Sequence, residues 1–149
     1  MNLSPSFHLS EFTLSQTATR MGLDNRPPAG VVAELQRLAR TVLQPLRDHL
    51  GRPIVVSSGY RSPDVNRAIG GASNSAHMHG RAADIVAPGL PPREVCLLIV
   101  ALDLPFDQVI SEFGAWCHVA VAAPGVAPRR QQLTAVRGLT GTTYLRGIQ

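Results

Sequence analysis

The sequence predicts an α+β domain: a small antiparallel sheet packed against N-terminal and crossover helices. Two observations carry that class. Helical periodicity is strongest in the first third of the chain, whereas short β-rich runs separated by glycine and proline dominate later. The size fits one core, because a domain of ~150 residues buries about 68–70% of its unfolded surface. The chain has 149 residues, 44% of them hydrophobic, and no internal repeat, so residues 1–149 are expected to form a single domain.

The elements follow in order. Residues 9–23 are expected to form one or two short helices, with Ser10 or Ser15 as N-caps, broken by Arg26-Pro27-Pro28. The longest helix comes next. Val31, Leu35, Leu38, Val42 and Leu46 recur at spacings of three and four, and Leu50 continues the stripe. Pro45 is expected to kink this helix or begin its last turn, and Gly51 to end it. Ile54 to Ser57 predicts a strand. Ser62-Pro63 predicts an N-cap and first helical residue, opening a short helix that stops at Gly70-Gly71. Residues 72–82 lack periodicity and are expected to be loop, before a second strand over Ala83 to Val86. Pro91 and Pro92 open a helix through Val95, Leu98, Ile99 and Leu102. Val109 to Phe113 and Trp116 to Val121 are expected to pair as a hairpin around Gly114-Ala115, and Leu133 to Val136 to form an edge strand.

Composition excludes several classes of function. The net charge is +4 and every basic residue is an arginine, spread from Arg20 to Arg146 with only Arg129-Arg130 adjacent. Nucleic-acid surfaces cluster their cations on one groove-sized element, so no nucleic-acid partner is expected. No apolar run approaches ~20 residues, and the N-terminus has neither a cationic n-region nor an apolar h-region, so neither membrane insertion nor a signal peptide is expected. Cys96 and Cys117 sit in apolar surroundings outside any CxxC pair and are expected as buried free thiols. His8 and His49 are expected at the surface, and Asp107 and Gln108 simply open a strand.

Chemistry concentrates in three segments, Ser57–Ser62, Ser75–Asp84 and Glu112–His118. A hydrolytic zinc site needs three ligands from His and Asp/Glu with a fourth position open. It also needs a carboxylate base and a donor for the developing oxyanion. His77, Asp84 and His118 supply the ligands, Glu112 the base and Arg61 the cationic donor. Two neutral imidazoles and one carboxylate leave such a site at about +1, which favours ionisation of water near pH ~7. Alternation along a strand turns His118 to one face and Cys117 and Val119 to the other, and the hairpin arms can bring Glu112 to the His118 side. His79 shares spacing parity with His77 and is a second candidate ligand. Ser75 is expected to orient a ligand, and Tyr60 and Trp116 to belong to the core, to wall the cleft or to contact substrate.

The stretch SSGYRSPDVNRAIGGASNSAHMHGRAADI, followed by DQVISEFGAWCHVAV, resembles the zinc D-Ala-D-Ala carboxypeptidase family, which includes phage L-alanyl-D-glutamate endopeptidases and vancomycin-resistance D,D-dipeptidases. The pattern is carried by Ser75, His77, Gly80, Ala82 and Asp84, by Trp116 and His118 downstream, and by Ser58 to Ser62 upstream. With the opening segment, the similarity covers roughly residues 3 to 121. It implies a hedgehog-like fold, zinc on His77, Asp84 and His118, and Arg61 on substrate or oxyanion. Of the two histidines at 77 and 79 it selects the first. The family glutamate precedes the last histidine by a few residues, and Glu112 is the carboxylate in that window; some members place it three residues before, where this chain has Ala115. Ala76 stands where many members have glutamine. The implied activity is zinc-dependent hydrolysis of peptidoglycan stem peptides, as a carboxypeptidase or an endolysin-type endopeptidase, with bacteriophage or prophage origin a further expectation. The protein would then be cytoplasmic until released by lysis, or associated with virion proteins, and act at the cell wall. The competing expectation is a non-catalytic, zinc-stabilised structural or wall-binding module of a virion.

Overall fold

A computed structural model describes the whole chain, Met1–Gln149. Its longest helical stretch is built on the predicted stripe. Helix α3 (Ala29–Leu38, after α1 at Leu9–Thr13 and α2 at Gln16–Met21) runs into a π-helical segment, Ala39–Leu43, and then into α4 (Gln44–Leu50). Leu35, Leu38, Val42, Leu43 and Leu46 are fully buried. The irregularity expected from Pro45 takes the form of a widened turn. Gln44 donates its N–H to the Ala39 carbonyl, five residues back, immediately before the proline that has no N–H to donate. Gly51 ends the helix in the left-handed conformation.

The N-terminal helices differ from expectation in one cap. Ser15 caps α2 as predicted, but α1 is capped by His8, whose ring nitrogen accepts from the Ser10 N–H while Glu11 reaches back to the His8 N–H. Ser10 is therefore the second helical residue, and His8 is a capping group on the surface. Two short strands, β1 (Asn2–Ser4) and β2 (Phe7–His8), form a separate ribbon that buries Leu3 and Phe7.

The main sheet comprises β3 (Val55–Ser58), β4 (Ala82–Val86), β5 (Gln108–Glu112), β6 (Trp116–Ala120), β7 (Gln131–Gly138) and β8 (Gly141–Arg146), in spatial order β3-β4-β6-β5-β7-β8. All pairings are antiparallel except β5 with β7, which is parallel. A parallel neighbour needs a return connection, supplied here by residues 121–130. Strand β7 is consequently interior, contrary to the edge position expected for Leu133 to Val136; β8 forms that edge and is exposed along its whole length.

One face of the sheet carries Ala83, Ile85, Val109, Cys117 and Val119 into the core, where they meet α3, α4 and α6 (Pro92–Ala101). Cys96 on α6 faces Cys117 on β6 with the sulfurs 2.8 Å apart, both buried as free thiols. Helix α5 (Pro63–Ala68) begins at the predicted cap, with Ser62 Oγ accepting from the Val65 N–H. The segment 72–82, expected to be loop, contains one 3-10 turn at Ala76–His79, capped by Ser75. No helix is long and apolar enough to cross a membrane.

Candidate active site

The face opposite the core carries the polar residues. Antiparallel register sets Asp84 on β4 directly across from His118 on β6, and His118 across from Ile110 on β5. Two pairs further along, Trp116 faces Glu112. Directly opposed residues project to the same side, so Asp84, His118, Glu112 and Trp116 share one face. The Ala76–His79 turn brings His77 over it.

His77, Asp84 and His118 are all buried, and one ligand atom from each lies within 4.8 Å of the others. His77 Nε2 is 3.4 Å and His118 Nδ1 is 3.0 Å from Asp84 Oδ1. Zinc bonds of about 2.0–2.2 Å at tetrahedral angles put neighbouring ligand atoms about 3.3 Å apart, so the donor set and spacing fit zinc. The opposite ring nitrogen of His77 is 2.7 Å from the Gly59 carbonyl. Donating there fixes the tautomer that leaves Nε2 free to bind a metal. Ser75 acts on the same residue through the main chain, accepting from the His77 N–H at 3.3 Å. His79 is exposed and stands outside the cluster.

Burial alone would push the Asp84 carboxyl up, but hydrogen bonds to His118 and His77 outweigh it and hold the group well below the usual carboxylate range. Burial pushes the His77 imidazole down against the pull of Asp84. Both shifts favour the metal-binding forms, carboxylate and neutral imidazole. Arg61 approaches from the β3 side, its guanidinium 3.4 Å from Asp84 Oδ2 and 3.2 Å from Ser58 Oγ.

The cluster opens into a cleft of about 610 Å³ that also contains Arg61, Ser75, Glu112 and Trp116. Glu112 forms no ion pair, and burial raises its carboxyl above the ordinary value against the opposing pull of His118 and of the Trp116 indole N–H across the strand pair. The other carboxylate of the cleft outside the His77–Asp84–His118 group, Asp107, is engaged by Arg129 through two guanidinium contacts of 2.8 and 3.1 Å. Ala115, at the alternative position for a glutamate, lies in the hairpin turn and offers no acid. Trp116 packs edge-on to Phe113, and its buried indole N–H has no other partner. Of the alternatives for Tyr60, the structure takes the core: the residue packs in the hydrophobic cluster and does not line this cleft, and its N–H donates to the Phe12 carbonyl while its own carbonyl accepts from Asn25.

Four contributors escaped the sequence reading. The Gly59 carbonyl orients His77, and a backbone oxygen carries no residue-type signature. Asn25 is buried and bonds Thr13, Tyr60 and Ser62, anchoring both sides of Arg61; its place in a polar loop before Arg26-Pro27 was the available signal. Leu133 and Tyr144, from the C-terminal strands, also line the cleft.

Comparison with known proteins agrees with this arrangement. The family model described as Peptidase M15 matches residues 5–120. The zinc D-Ala-D-Ala carboxypeptidase of Streptomyces albus G is 52% identical over 46 residues, which is 30% of this chain and 18% of that protein. The aligned part is thus a small portion of that relative. With more than half its length matched and a buried His-Asp-His group spaced for zinc, the chain belongs to the Peptidase M15 family.

Proposed function

We propose that the protein hydrolyses peptide bonds in the stem peptides of peptidoglycan. One observation carries the catalytic part: Glu112, half-buried and held by no ion pair, shares a cleft with the His77–Asp84–His118 group. The Streptomyces relative, named for action on D-Ala-D-Ala, supports the substrate class.

His77, Asp84 and His118 are the residues that would hold zinc, which when bound polarises a carbonyl and makes water a nucleophile at neutral pH. The protein's own groups do the rest. Glu112 accepts the proton of the attacking water and delivers it to the departing amine, a role suited to a carboxylate whose pKa burial has raised. Arg61 offers positive charge to the developing oxyanion from its position beside Asp84. Ser75 and Gly59 hold His77 in place. A non-catalytic module would have no use for a half-buried acid without an ion pair beside a metal site; burying an ionisable group is costly.

The deciding experiment is digestion of purified peptidoglycan by the zinc-loaded protein, with and without a chelator, reading products by mass spectrometry. Chelator-sensitive release of D-alanine or of cut stem peptide is expected. Intact stems after prolonged incubation with protein holding one zinc per chain would reject the proposal.

A further inference from the structure

The family match ends at residue 120, and β7 and β8 lie wholly beyond it. They nevertheless continue the floor of the cleft. The row that begins Asp84, His118, Ile110 runs on through Leu133 to Arg146. The adjacent row runs Trp116, Glu112, Ala135, Tyr144. Strands are about 4.8 Å apart, so Tyr144, two strands from Glu112, stands roughly 10 Å away, the reach of about three extended residues. Between them Ala135 is buried, and Leu133 and Tyr144 are the residues of these strands that reach the cleft. Tyr144 is 57% exposed and its hydroxyl has no partner within the chain. Arg146, at the end of the Leu133 row, is exposed and forms no ion pair.

This outer floor is fastened to the turn that carries the candidate base. The Phe113 N–H donates to the Ala135 carbonyl at 2.9 Å, and the Arg137 guanidinium sits 4.2 Å from the centre of the Phe113 ring. The return segment is pinned in turn by Arg129 on Asp107 and Arg130 on Asp103. A platform tied this closely to Glu112 holds a fixed distance from the reacting bond, which is what a specificity subsite requires.

We propose that β7 and β8 form a substrate platform. On the peptidase reading above, an extended stem peptide crosses the sheet so that a residue about three positions from the cleaved bond rests on Leu133 and Tyr144. The site suits a residue with an aliphatic body, packed on the Leu133 side chain and the Tyr144 ring, and a carboxylate, which meets Arg146 at the rim.

The test is steady-state kinetics of the zinc-loaded protein on a stem pentapeptide and on versions shortened one residue at a time. For the parent, KM is expected to rise when the residue lying over β7–β8 is removed. Tyr144→Ala is expected to raise KM for the full peptide about tenfold, the worth of partly burying one aromatic ring, and to abolish the advantage of the full peptide over the shortened one. Arg146→Gln should raise KM only for substrates that retain the carboxylate. Thr143→Ala, one residue away on the opposite face, reports on hairpin integrity. An unchanged KM in Tyr144→Ala, or an equal rise in Thr143→Ala, would overturn the platform while leaving the peptidase reading intact. A parent that cleaves none of these peptides would instead overturn the substrate assignment, and the platform with it.

Discussion

At Gly59 a missing side chain and a backbone oxygen do the positioning. A Cβ there would lie 2.6 Å from both the Cα and the carbonyl oxygen of Phe12, and the Gly59 carbonyl is what holds the His77 ring. Gly59→Ala must push the two segments apart, at a cost of about 1–3 kcal/mol. Urea denaturation should show that loss, and competition with a chromophoric chelator should show zinc affinity reduced about 10–100-fold, the usual effect of disturbing a ligand's supporting contact. Glu112 should behave in the opposite way. Glu112→Gln keeps the shape of the cleft and leaves all three candidate ligands in place, so zinc content and melting temperature should match the parent. Its hydrolytic rate should fall by about 10²–10⁴, because an amide cannot take the proton. A variant that keeps parental turnover would remove Glu112 from the mechanism.

Elements were legible where a physical rule leaves a mark in the residue types. The α3–α4 stripe, the Ser15 and Ser62 caps and the β5–β6 hairpin all show such marks, and the spacing from Ser75 to Asp84 with the downstream His118 pointed to a shared site. The 3-10 turn at Ala76–His79 is too short for periodicity to register, yet it decides where His77 points. Strand β8, Gly-Thr-Thr-Tyr-Leu-Arg, is exposed throughout and so lacks the apolar alternation of a half-buried strand; without it, β7 looked like an edge. Asn25 was invisible for a related reason, since its value lies in three main-chain bonds to distant elements. Asn25→Ala should therefore cost about 3 kcal/mol, roughly one for each lost bond, as measured by urea unfolding. Because two of those bonds flank Arg61, activity should fall along with stability.

Over the whole molecule, stability should depend on pH in one direction. The Asp84 carboxyl is depressed in the folded chain, so its contribution is present above the unfolded value near ~4 and is lost as pH falls below it. His77 is also depressed, so the unfolded chain takes up that proton first, and stability declines as pH drops below ~6.5. Both effects weaken the metal-free protein in acid. Its urea midpoint should fall between pH 8 and 5 and fall further below pH ~4; a midpoint that stays level to pH 5 would contradict the His77 assignment. Zinc at about 100 times its dissociation constant should add about 2.7 kcal/mol, removable by chelation. The parallel junction between β5 and β7 also bears on the order of assembly. Pairing β7 with β5 requires the chain to double back through residues 121–130, whereas β7 and β8 meet through a tight local turn. His118, the last of the three metal-holding residues, precedes that return. The strands of the metal-holding half are thus complete in the chain before β7 begins, and they pair with one another without needing the outer wall.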